Sequence, residues 1–230
     1  MKLLTVDTST STSSVALTVD GRLVAEYLVD CEKTLSERLL AATAAVLRDA
    51  RLATDDLDGF GVALGPGSFT GVRIGVATIK GLALASGKPC VGFSSLAMLA
   101  LNLPWSSFPV CSLFDARKNE VYAGLYRCGH LPEELIADCV IPPDRFLERL
   151  EGPIIFVGDG ALRFRGLIEA TLGERAVFAP SHCHQPRAAA GAMLALEAFR
   201  TGKTVALPLL NPTYIRPSEA ELARIRRETL

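Results

Sequence analysis

The run Gly65-Pro66-Gly67-Ser68-Phe69-Thr70-Gly71 constrains the fold more than any other feature of this chain. It follows a short apolar stretch at 60–64. It opens a long apolar segment at 70–85, which stops at Gly87 and Pro89 before an apolar stretch resumes at 90–93. A strand, a helix and a strand of these lengths predict a parallel pair joined by a right-handed crossover. A loop that ends a strand and opens a helix presents unpaired N–H groups and a positive dipole end, so Gly65, Gly67, Ser68 and Thr70 are candidate anion ligands. Glycines at such a place also serve a tight turn and close packing of the helix on the sheet. A phosphate-binding P-loop would continue Gly-Lys-Ser/Thr, and here Gly71-Val72-Arg73 follows. A dinucleotide fingerprint would need glycine at 65, 67 and 70, and position 70 is threonine.

The flanking segments fit an α/β architecture. Residues 3–7 and 15–19 are apolar strand candidates separated by an almost pure Ser/Thr turn, and Asp20-Gly21 predicts a tight turn into a third strand at 23–28. Leu35, Leu39, Ala42, Val46 and Ala50 recur at helical spacing over 35–50, and Thr34 followed by Glu37 forms a capping box. The second half repeats the plan. Residues 110–114 are apolar and end in Asp115, the polar turn Arg117-Lys118-Asn119 leads to a strand at 121–126, and 154–157 end in Gly158-Asp159-Gly160 before a helix. Two lobes are therefore expected, at 1–104 and 105–211. A last helix capped from Ser218 to Glu221 is expected to pack residues 212–230 back on the first lobe.

Chemistry-bearing residues are sparse. Asp7 at a strand end, with Thr8, Ser9 and Thr10 behind it, could hold a hydrated Mg²⁺ and touch phosphate, although Ser and Thr are also ordinary turn residues. The three histidines, His130, His182 and His184, make no helical metal pair, so no metal site is expected, and His182-Cys183-His184 remains a weak candidate. No nucleophile elbow is present. The six cysteines lack a CxxC pair and several sit in apolar runs, which suits free thiols in a reducing, cytoplasmic compartment. A formal charge of -1 argues against a chain that grips a nucleic-acid backbone alone. The tail cluster Arg224, Arg226 and Arg227 reads as a solvated surface. The uncharged stretch 89–114 is punctuated by three prolines, so it predicts strand, helix and strand, with no membrane span.

The eleven positions from Gly65 to Gly75 resemble the signature of the TsaB (YeaZ) family. Supporting matches are Leu4 to Asp7-Thr8-Ser9, Asp115-Ala116-Arg117 with Glu120-Val121-Tyr122, Gly158-Asp159-Gly160, and Pro212-Thr213-Tyr214-Ile215-Arg216, which together span the chain. The resemblance implies a two-lobed actin-like ATPase fold (the Hsp70 and sugar-kinase superfamily) with duplicated ribonuclease H-like lobes. It further implies a non-catalytic scaffold that works with TsaD and the ATPase TsaE in transferring threonylcarbamoyl to the adenosine beside the anticodon of tRNA. On that basis tRNA is contacted mainly through the complex. No cofactor is assigned to the chain itself, with ATP or ADP and Mg²⁺ as candidates at the complex. A metalloprotease finds no support in these residues.

Family members pair with TsaD, or with themselves when alone, through their first two helices. That implies a partner surface from Leu39, Val46, Val72, Arg73, Val76, Ile79, Lys80 and Ala83. The second helix is apolar nearly all round, so it must be buried on more than one side, either by a partner or within its own lobe. One departure is the Thr34-Leu35-Ser36-Glu37 run, where the family often carries a His-Ser pair. The alternative is an enzyme, a nucleotide-dependent phosphotransferase or ATPase of the same superfamily, built on Asp7, the Ser/Thr turn and the Gly-rich helix start.

Overall fold

A computed structural model describes residues 1–30 and 35–216. The first half contains β1 (Lys2–Asp7), β2 (Thr12–Val19), β3 (Arg22–Asp30), α1 (Leu35–Asp49), β4 (Gly59–Ala63), α2 (Phe69–Ser86), β5 (Cys90–Phe93) and α3 (Ser95–Ala100). The second contains β6 (Val110–Asp115), β7 (Val121–Cys128), β8 (Pro132–Ile141), α4 (Pro143–Leu147), β9 (Ile154–Val157), α5 (Asp159–Arg163), α6 (Arg165–Leu172), β10 (Ala176–Phe178) and α7 (Ala188–Arg200). The capping box at Thr34 and the closing helix from Ser218, with its arginine cluster, lie outside the described residues.

Two five-stranded sheets carry the duplication. Their orders are β3-β2-β1-β4-β5 and β8-β7-β6-β9-β10. In each, the first three strands are antiparallel and the last two join in parallel. The crossover predicted around the Gly-rich run is the β4–α2–β5 unit. Strand β2 begins earlier than its apolar residues alone predict, because Thr12, Ser13 and Ser14 are buried in it. The Thr12 hydroxyl donates to Gln185 Oε1 at 2.5 Å, and the Ser14 hydroxyl accepts from the Ala188 N–H at 2.9 Å. Those bonds satisfy the Thr12 and Ser14 hydroxyls in an interior strand, while Ser13 Oγ has no partner among the described residues.

Alternation along β1 sends its residues to two different cores. Leu4 and Val6 join Leu39, Val46, Phe60, Val72 and Ile79 beneath α1 and α2. Leu3 faces the other way, toward Ala195 and Phe199 of α7. Each fully buried aliphatic or aromatic side chain contributes about 1.5–3 kcal/mol. Helix α7 lies within the 105–211 segment yet packs against β1, β2, β4 and β5 of the first sheet. Its Ala190 and Met193 meet Met98 of α3 and Leu101 just after it, so these two helices form a layer between the sheets. Helices α4 and α6 cover the far face of the second sheet through Phe146, Leu147, Ile168 and Leu172. No helix among the described residues is long and apolar enough to cross a membrane.

Candidate functional site: a cleft between equivalent strand ends

The ends of β1 and β4 face the ends of β6 and β9 across a cleft of about 660 Å³. Residues 9–11 and 67–70 form one wall, and residues 114–117 with Tyr122 and Asp159 form the other. Of the sequence-predicted candidates, Ser9, Gly67, Ser68 and Thr70 line this cleft, while Asp7 and Gly65 do not.

The first wall is stapled together. The Ser68 N–H donates to the Ser9 carbonyl at 2.6 Å, and the Thr8 hydroxyl donates to the Gly71 carbonyl at 2.8 Å. A Cβ at Gly67 would collide with the Ser9 carbonyl, so this approach requires glycine. Ser68 also caps α2, its hydroxyl accepting from the Gly71 N–H at 3.2 Å. The staple closes over Asp7, which is 0 % exposed. Its Oδ1 accepts from the Ser9 N–H at 3.2 Å, and its Oδ2 has no partner among the described residues. Burial pushes the Asp7 carboxyl up to about 7, against the lowering effect of its Ser9 bonds.

The second wall has the same topology and different chemistry. Asp115 at the end of β6 is partly exposed and pairs with Arg163 at 2.6 Å. Asp159 stands at the start of α5, where its Oδ1 accepts from the N–H groups of Asp115 and Gly160 at 3.1 and 2.8 Å. Arg117, Lys118 and Asn119 form a turn of three left-handed residues, φ 63°, 51° and 57°, with no glycine among them. His184 is buried behind this wall. One ring nitrogen accepts from the Gly158 N–H at 3.1 Å, and the other donates to the Ala179 carbonyl at 3.0 Å. Cys183 is buried beside it in the core, and His184 holds the Gly158 turn in place. Among the described residues no three His, Cys, Asp or Glu side chains are grouped to hold a metal.

The residues named for a partner surface divide. Leu39, Val46, Val72, Val76, Ile79 and Ala83 are all buried in the core of their own lobe, which corrects the expectation that they face a partner. The helix is apolar all round because one side meets β1 and β4 while α1 covers another. Arg73 is exposed and Lys80 is partly buried. The outward stripe of α2 is instead Ala77, Gly81 and Leu84, with Leu84 75 % exposed, and α1 adds Leu40, Ala41 and Ala44.

Sequence reasoning passed over the second wall's Tyr122 and the aromatic pair Phe69–Tyr214, whose rings stack at 4.3 Å. The signal for the pair was present, since Tyr214 lies in the Pro212–Arg216 run that carries part of the family resemblance.

Comparison with known proteins agrees with this geometry. Residues 29–224 match the family described as TsaD: tRNA N6-adenosine threonylcarbamoyltransferase. The tRNA threonylcarbamoyladenosine biosynthesis protein TsaB of Bacillus subtilis is 35% identical, with 96% of both chains covered. That of Escherichia coli is 31% identical, again over 96% of each. The solved structure of YeaZ from Pseudomonas aeruginosa superposes with a TM-score of 0.82 at 30% identity, covering 93% of this chain and 99% of that one. The ethanolamine utilization protein EutJ from Carboxydothermus hydrogenoformans, at 14% identity and a TM-score of 0.53, shares the fold alone over 84% of this chain and 90% of its own. The architecture is the two-lobed actin-like ATPase fold with ribonuclease H-like lobes, and the chain belongs to the TsaB (YeaZ) family.

Proposed function

We propose that this chain takes part in threonylcarbamoyladenosine formation on tRNA as a non-catalytic scaffold for TsaD, with TsaE as a further partner. The names carried by its Bacillus subtilis and Escherichia coli relatives support the pathway. The observation that carries the scaffold role is the sealing of Asp7. The carboxylate at the end of the first strand would be the group to hold a metal-bound phosphate in an enzyme of this fold. Here it is 0 % exposed beneath the Ser9–Ser68 staple, with its protonation favoured by burial.

Phosphate groups fit the cleft better than a metal ion does. Ser9, Thr10 and Ser11 hydroxyls, the N–H groups at the start of α2 and Arg117 all line or face it. A Mg²⁺ ion would find Asp159 as the exposed carboxylate, because Asp7 is sealed and Asp115 is engaged by Arg163. ATP or ADP with Mg²⁺ therefore belongs to the assembled complex in this account, with a partner completing the metal's ligands.

Pairing uses the outward stripe of α1 and α2, with TsaD in the complex and with a second copy when the chain is alone. The stripe's small residues allow close approach, and Leu40 and Leu84 offer apolar anchors. Direct tRNA contact is a minor part, in line with the formal charge of -1.

Co-purification with TsaD, followed by tRNA threonylcarbamoylation with and without this chain, tests the proposal. A stable complex whose activity needs the chain is expected. Robust ATP turnover by the purified chain alone would overturn the scaffold role and favour the phosphotransferase alternative.

A further inference from the structure

Residues 211–216 leave the first lobe, cross the mouth of the cleft and end on the second. Lys80 Nζ donates to Asn211 Oδ1 at 3.2 Å, and the Thr213 N–H donates to the Leu64 carbonyl at 2.8 Å. Tyr214 stacks on Phe69 at 4.3 Å with 15° between the rings, and Arg73 Nε donates to its hydroxyl at 2.7 Å. The Arg73 guanidinium also lies 4.3 Å from the Phe69 ring centre. All of these partners belong to β4, to α2 or to the loop between them.

Two residues later every contact has changed sides. Arg216 donates to the Ala116 carbonyl at 2.6 Å and pairs with the Glu120 carboxylate. Its guanidinium sits over Tyr122, 5.7 Å from the ring centre. Ala116 and Tyr122 are cleft-wall residues of the second lobe. Two residues of extended chain span about 7 Å at most, so the walls cannot separate while both anchors hold.

The second anchor grips a strained element. Ala116 and Glu120 flank the left-handed turn Arg117-Lys118-Asn119, which closes through the Ala116 N–H to the Glu120 carbonyl at 3.0 Å and the Glu120 N–H to the Arg117 carbonyl at 2.9 Å. Non-glycine residues in that conformation cost on the order of 1 kcal/mol or more each, and they persist where the surroundings hold them. Arg216 holds both ends of the turn at once, through a carbonyl at one and a carboxylate at the other. Its planar fork of donors suits that geometry in a way a lysine ammonium does not.

We propose that residues 211–216 form an interlobe strap that sets the width of the cleft and couples the Arg117–Asn119 turn to the outer side of α2. The strap does not depend on whether the chain turns over a nucleotide or pairs through α1 and α2. Where pairing does occur, a partner on α2 would act on Arg73 and Lys80 and, through the strap, on the far wall. A phosphate-bearing ligand in the cleft would act on the same strap from the other end, by competing with Glu120 for Arg216.

Hydrogen–deuterium exchange on the full chain tests this through cross-lobe effects. Tyr214→Ala removes a first-lobe anchor and touches nothing in the second. It is expected to speed exchange at the Ala116 and Glu120 amides about tenfold, with sheet amides unchanged. Arg216→Ala, at a partly buried side chain, is expected to speed exchange at the Thr213 amide in the first lobe by a similar factor. Tyr214→Phe keeps the ring stack and should leave the Ala116 and Glu120 amides as in the wild type. If each alanine variant loosens only its own lobe, the anchors are independent local contacts and the strap is overturned. Should Tyr214→Ala fail to fold, the Arg216→Ala result at Thr213 decides alone: faster exchange supports coupling, and unchanged exchange refutes it.

Discussion

The turn after β1 and the turn after β6 hold equivalent places in two sheets of identical strand order, each following an aspartate. In the first lobe the staple from Ser9 to Ser68 draws the turn onto the Gly-rich loop and buries Asp7 completely. In the second lobe the neighbouring loop is tied on through a side chain, Asp159 Oδ1 accepting from the Asp115 N–H, and the partly exposed Asp115 carboxylate meets an arginine at the cleft. A duplicated topology has thus kept the position of a carboxylate and separated its chemistry. What differs is access to water, which decides whether a carboxylate is a free ligand, a salt-bridge partner or a buried acid.

The largest effect expected concerns the two sides of α2. Ile79→Asp places a charge in the core, at a cost of about 4 kcal/mol or more, and should abolish folded protein in a thermal melt. Leu84→Asp, on the outward stripe, should leave the melt within about 0.5 kcal/mol of wild type. It should also weaken self-association in sedimentation. Equal loss of fold in both variants would show that α2 has no free side.

Next comes the pH response of the buried acid. Asp7 is raised from 3.8 to about 7 in the folded chain, so the native state holds this proton more tightly than the unfolded chain does. Its contribution to stability is fully present below about pH 4 and is lost as pH rises through about 7, with a total of up to roughly 4 kcal/mol. Denaturation across pH 4–8 should show that decline, and Asp7→Asn should flatten it. Asp115→Asn should change stability by about 1 kcal/mol or less, since Arg163, the partner it would lose, is 45 % exposed and keeps much of its hydration.

Smaller and more alike are the effects of closing the two loops. An alanine at Gly67 would strike the Ser9 carbonyl, and one at Gly158, with φ at 108°, would strike the Leu113 carbonyl. Each substitution should cost about 1–3 kcal/mol in chemical denaturation. Gly158→Ala should be the costlier, because it adds backbone strain to the collision. A neutral Gly67→Ala would mean that the first turn is not stapled.

Much of this layout was legible in the sequence, and the exceptions have physical causes. Strands β5 and β9 fall where short apolar runs between turn residues place them, as does the start of α2 behind its Ser68 cap. Strand β8 escaped notice because it is a sheet edge, where Glu133 and Glu134 can face solvent and no apolar alternation is required. Helix α7 docks on strands far away in the chain, which no local pattern reports. Its one signal was a pair of glycines inside β4, since Gly59 and Gly61 leave room for Phe199 and Ala195. At the site, the Gly-rich loop and the Ser/Thr turn were readable from residue type. The sealing of Asp7 was not, because it rests on an approach between residues about sixty positions apart. Helical periodicity showed that α2 is buried on several sides, and only the packing of α1 and the first sheet revealed which side stays open.

The most direct measurement is tRNA threonylcarbamoylation by TsaD reconstituted with two single variants of this chain. If the chain acts through its outer helical face and not through its cleft carboxylate, Leu84→Asp loses most of the stimulation and Asp7→Asn retains it. Full activity with Leu84→Asp and loss of activity with a well-folded Asp7→Asn would contradict the account and place the chain among the enzymes of its fold.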